Sequence, residues 1–118
     1  MIDTEPFPHL VCEGLIPLDL IEKVKKEYDD ILTNKLQDWV TYNNPIEYKL
    51  SYNKFQDTTY LKQLIPILSN PDFVHYLQTT FDIEDIELDV DLYGAGLHNH
   101  PIGGHLCTHL DYEINPIT

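Results

Sequence analysis

Apolar and polar positions follow two rhythms along this chain. Over residues 18–33, Leu20, Ile21, Val24, Tyr28, Ile31 and Leu32 recur at helical spacing and form one apolar stripe, which predicts an amphipathic helix. Pro17 suits the lead into its first turn, Asp19 and Glu22 favour the positive end of its dipole, and Lys23, Lys25 and Lys26 fall on a solvated face. Two more helices are predicted. Residues 59–69 carry the stripe Leu61, Leu64, Ile65 and Leu68, and residues 72–80 lead the stripe Phe73, Val74, Leu77 and Phe81. Pro66 should kink or shorten the first, and Asn70-Pro71-Asp72 should break the chain and restart a helix. Elsewhere the rhythm suits strands. His9–Glu13 reads as a short strand closed by Gly14. Trp39–Tyr42 and Tyr48–Tyr52 read as a hairpin about the turn signal Asn43-Asn44-Pro45. In residues 83–93, Ile86, Leu88, Val90 and Leu92 alternate with Glu87, Asp89 and Asp91, the pattern of a half-buried strand.

The densest chemistry follows that pattern. Residues 94–112 hold four of the six histidines and four of the five glycines. Gly94 and Gly96 permit a tight path or a close approach by another backbone. Read as a strand, residues 105–112 put His105, Cys107, His109 and Asp111 on one face and Leu106, Thr108, Leu110 and Tyr112 on the other. His109 and Asp111, an imidazole and a carboxylate two residues apart, make two legs of a metal site. A second histidine from elsewhere would complete the facial triad of a non-haem iron oxygenase, which leaves coordination positions open. The solvated reading of the same polar face stands beside this one.

Leu92-Tyr93-Gly94-Ala95-Gly96-Leu97-His98, then Gly103-Gly104-His105-Leu106-Cys107-Thr108-His109-Leu110-Asp111-Tyr112, resembles the core of iron(II)/2-oxoglutarate-dependent dioxygenases, in their prolyl-4-hydroxylase-like branch. The shared pattern is G-x-G-L-H, G-G-x-L, then H-x-D followed by an aromatic. The resemblance implies an α+β chain. It would form the N-terminal portion of a double-stranded β-helix, or jelly roll, with about three buttressing helices. It implies that His109 and Asp111 bind Fe(II), and that Tyr93 or His98 hydrogen-bonds the cosubstrate 2-oxoglutarate. The activity implied is hydroxylation of a C–H bond with O2, coupled to decarboxylation of 2-oxoglutarate to succinate. The pattern also departs from the family. The family's distal histidine and its basic residue, usually arginine, fall later in such a domain, and residues 63–118 contain no Lys or Arg.

Composition narrows the classes. The chain has 118 residues, enough for one small domain, with a helix-rich part over 1–82 and the first core strands with the metal motif over 83–118. An apolar fraction of 42% is that of a globular protein. The net charge of −13, with lysines as the only basic residues, argues against nucleic-acid and anionic-membrane partners. Cys12 and Cys107 do not make a disulfide framework, and no secretory signal opens the sequence, so a reducing, cytoplasmic compartment is expected. His9 and His75 read as surface residues.

Three readings follow. The first is the oxygenase, present here as a piece truncated after H-x-D that alone binds Fe(II) weakly and releases no succinate. The second is a cupin-like barrel that binds a divalent metal such as zinc without oxygenase activity, using His98, His100, His105, Cys107, His109 and Asp111. The third is an inactive structural fragment. His105 as the third ligand would sit roughly 13 Å along a strand from His109, too far for one ion unless the strand bends. Nothing in the sequence selects a protein or a small-molecule substrate.

Overall fold

A computed structural model describes residues 2–89, 91–92 and 95–110. The fold is α+β, with three α-helices and one small antiparallel sheet among the described residues. The chain groups into two compact units. One comprises residues 1–27 and 58–90, and the other residues 28–57 and 91–118.

Helix α1 spans Leu18–Asn34 and is shared between the units. In the first unit its buried position is Leu20. Its Glu27 carboxylate accepts backbone N–H groups from Thr59 (2.7 Å), Tyr60 (3.1 Å) and Leu61 (2.7 Å). Thr58 Oγ1 accepts the next free donor, from Lys62 (3.0 Å). These acceptors start a 3-10 turn at Leu61–Gln63, which runs into α2, Leu64–Leu68. The expected 59–69 helix is therefore split and short. Pro66 has no N–H to offer the ladder, as its position predicts. Leu61, with no exposed surface, anchors this region. Helix α3, Pro71–Phe81, begins as predicted. Asn70 caps it by accepting from the Asp72 N–H (2.8 Å), and Pro71 occupies the first turn.

Two expected strands of this unit do not form. Near the N-terminus a single bridge joins Asp3 and His9, with both hydrogen bonds at 2.8 Å. Pro6 and Pro8 lack the donors to extend it, and residues 10–13 are irregular, with Val11 exposed. No strand forms in the described part of 83–93 either, despite its alternation. Helix α3 ends at Asp82 in the left-handed conformation, and Asp85 and Leu92 are left-handed too. With its oxygen turned toward them, the Gln78 amide accepts the backbone N–H groups of Asp85 (3.1 Å) and Ile86 (3.2 Å). A side chain has taken the donors that a ladder would need.

The second unit carries the sheet. Strands β1 (Val40–Asn43) and β2 (Glu47–Tyr52) form the predicted hairpin. Asn44 Oδ1 shapes the turn by accepting from the N–H groups of Ile46 (2.9 Å) and Glu47 (3.1 Å). Strands β3 (Leu97–Asn99) and β4 (His105–Leu106) both pair antiparallel with β2, at its C-terminal and N-terminal ends respectively. Tyr52, 1% exposed, sits at the centre of the unit's core. Its ring tilts against Trp39 (centroids 5.4 Å apart), and Trp39 meets Tyr28 edge-on (6.0 Å). Tyr28 accepts from Asn99 Nδ2 (2.8 Å), which ties the last turns of α1 to β3.

No helix among the described residues is long and apolar enough to cross a membrane.

Candidate functional site

The sheet register sorts the chemistry onto two faces, because directly paired residues project from the same side. Ser51 pairs with His98, Tyr42 with Lys49, and Leu106 with Glu47. These six residues, with Val40, occupy one face. Tyr52, Leu50 and Tyr48 point the other way, with Leu97, Asn99 and His105 opposite them. His98 and His105 therefore lie on opposite faces of the sheet. The register therefore does not place the two side chains to share one ion.

Two glycines of the motif make this arrangement possible. A Cβ on Gly96 would lie 2.6 Å from the Tyr52 carbonyl oxygen of β2. One on Gly104 would lie 2.8 Å from the Pro101 oxygen and 3.1 Å from that of Tyr48. Gly96 thus lies against the β2 backbone more closely than a side chain permits, while the tightest approach at Gly104 is to Pro101 in its own turn, with β2 next to it.

In the described part of the expected 105–112 strand, residues 105–110, only His105–Leu106 is regular, so His105, Cys107 and His109 do not share one continuous strand face as read from the sequence. Its partner explains why. Strand β4 runs antiparallel toward the start of β2, and β2 begins at Glu47, just after the hairpin turn. One more bond forms, from the Cys107 N–H to the Ile46 oxygen (2.7 Å), and next to that lies Pro45 in the turn. The exposed Cys107 thiol points its Sγ at the Pro45 oxygen (3.5 Å).

His109 follows, half-buried, with Nδ1 2.7 Å from the Cys107 carbonyl oxygen. A carbonyl only accepts, so Nδ1 carries a proton and donates it. A backbone carbonyl is one of the partners that orient a metal-ligating histidine through its non-ligating nitrogen. Asp111 and Tyr93, the other ligand and the other cosubstrate candidate, lie outside the described residues. Among the described residues, no group of three or more His, Cys, Asp or Glu side chains is arranged to hold a metal ion.

His98 faces partly into solvent on β3. Partial burial lowers its pKa below the ordinary 6.5, and the nearby charges of Lys49 and His100 lower it further, against an opposing pull from Glu47. The ring is therefore neutral at pH 7, with one donor and one acceptor nitrogen.

The sequence reading missed the neighbours of His98. Glu47 is 5% exposed, and its Oε1 lies 3.2 Å from Lys49 Nζ, a side chain itself only 16% exposed. Lys49 also lies over the Tyr42 ring, 5.7 Å from its centroid. Glu-x-Lys in a β-prone run places both charges on one face, which is visible in the sequence. That the pair is buried, and that it flanks His98, depends on register with residues far along the chain.

Comparisons with protein-family models, with curated proteins and with solved structures find no match to this chain.

Proposed function

We propose that this chain carries the first metal-binding segment of an Fe(II)- and 2-oxoglutarate-dependent dioxygenase domain of the double-stranded β-helix type. His109, through Nε2, and Asp111 hold the iron in this reading. Iron so bound supplies the activation of O2 and the oxidative decarboxylation of 2-oxoglutarate that hydroxylation of a C–H bond requires. The observation that carries the reading is His109. Its Nδ1 sits against a backbone carbonyl, and it follows two glycine segments that lie against one strand in the order of the family's motif. Tyr93 and His98 are the cosubstrate-facing candidates, and the reading calls for a second histidine ligand.

The test is an assay of a polypeptide that joins this chain to its adjoining sequence. Incubated with Fe(II), O2 and 2-oxoglutarate, it is expected to release succinate, and a chelator should stop the release. A protein that binds zinc stoichiometrically and forms no succinate under any iron loading would overturn the reading.

A further inference from the structure

We propose that Lys49, Ser51 and His98 form a binding site for the carboxylate of a small organic acid, on the sheet face that also holds Glu47. The glycine-rich half of the chain has no Lys or Arg. The sheet supplies one from elsewhere, because β2 carries Lys49 two residues from Ser51, the direct partner of His98. Three donors of different kinds thus line one face: an ammonium, a hydroxyl and a neutral imidazole. Same-face neighbours on a strand lie about 7 Å apart and direct cross-strand partners about 5 Å, so a carboxylate fits between them with both oxygens in reach. Neither the Ser51 hydroxyl nor the His98 ring makes a hydrogen bond to another described residue.

Lys49 is suited to the task by its surroundings. Its side chain is mostly buried, so its charge acts through less water than a surface lysine's. Its influence on the His98 ring places that charge near the imidazole. Glu47 takes one of the three ammonium protons, and the others are left for a ligand. The Glu47 carboxylate also weakens the site for anions, which keeps a buried lysine satisfied when no ligand is present. Lys35 and Lys54, the other lysines of this unit, lie off the sheet, and Lys54 pairs with Asp38 at 3.1 Å.

Two sources of carboxylate fit this chemistry: 2-oxoglutarate, or an acidic substrate. The inference stands on the sheet geometry, and only its assignment to 2-oxoglutarate rests on the proposed function. The test therefore uses no iron. The His98 ring and Lys49 side-chain resonances of the chain are followed by NMR during titration with succinate, with 2-oxoglutarate and with uncharged succinamide. Saturable shifts of both side chains with the acids, and none with succinamide, are expected. Tighter saturation by 2-oxoglutarate than by succinate assigns the site to the cosubstrate, and equal affinities assign it to carboxylates generally. Glu47→Gln keeps an acceptor for Lys49 and should tighten binding. Adding Lys49→Met to that variant removes both buried charges together, so the fold is not left with an unpaired one. It should weaken binding by about tenfold or more relative to Glu47→Gln, the size of a charge-assisted hydrogen bond. Shifts that do not saturate, an equal response to succinamide, weaker binding in Glu47→Gln, or unchanged affinity in the double variant would each overturn the proposal.

Discussion

Replacing His109 by alanine is expected to reduce iron-dependent succinate release by more than about a hundredfold, since even the loss of a second-shell partner costs a metal site 10–100-fold. The same loss is expected for Asp111→Ala. The imidazole is oriented by the Cys107 carbonyl, 2.7 Å from its Nδ1. That acceptor belongs to the backbone, so Cys107→Ala keeps it and should retain most of the activity. A large loss in Cys107→Ala would instead favour the thiol as a ligand and the zinc reading. His9 hydrogen-bonds the Phe7 carbonyl (2.8 Å) and His75 lies exposed on α3. Alanine at either should leave turnover nearly unchanged. The measurement is iron stoichiometry together with succinate release in a polypeptide that carries the adjoining sequence. Full activity in His109→Ala or Asp111→Ala would remove the assignment.

Gly96→Ala is expected to destabilise the sheet unit by about 2–4 kcal/mol, combining an overpacking cost of about 1–3 kcal/mol with backbone strain of about 1 kcal/mol. The new Cβ would meet the Tyr52 oxygen at 2.6 Å and its carbonyl carbon at 3.3 Å, and Gly96 has a φ of +151°. The obstacle is the backbone of β2, which cannot turn aside as a flexible side chain would. Tyr52 pairs directly with Leu97, so relief of the clash must move β3 away from its ladder. Gly103 provides the contrast. Its φ is +85°, but a Cβ there meets nothing within 4 Å. Gly103→Ala should cost only the left-handed strain of about 1–2 kcal/mol. Urea unfolding of both variants, monitored by the fluorescence of Trp39 in the same unit, measures the difference. Equal stabilities would show that β3 does not depend on the close approach.

The sequence revealed elements whose signal is local. The α1 stripe, the Asn70-Pro71 restart and the hairpin about Asn44 each depend on residues within a few positions of one another, and all three form. Residues 83–92 show how that logic fails. Alternation is necessary for a half-buried strand, but the backbone donors of Asp85 and Ile86 go to Gln78, several residues upstream. The strand expected over 105–112 stops for a reason outside its own sequence, because its partner reaches a turn. The candidate site divides in the same way. The motif glycines and His109 were legible as residues. The sharing of one face by Lys49 and His98 was not, since it depends on pairings between segments far apart in the chain.

Strands β1, β3 and β4 each pair with β2, so β2 serves as a template as well as a member of the sheet. Closing β1 onto it requires only the turn at residues 44–46, while β3 must be brought back across residues 53–96. The longer closure spans roughly four doublings of length, or about 2 kcal/mol of additional chain entropy. An isolated hairpin forms in about 1–10 μs, and the distant segments have nothing to pair with until it exists. In this unit the ribbon of β1 and β2 is therefore expected to form first, with β3 and β4 added to it afterwards.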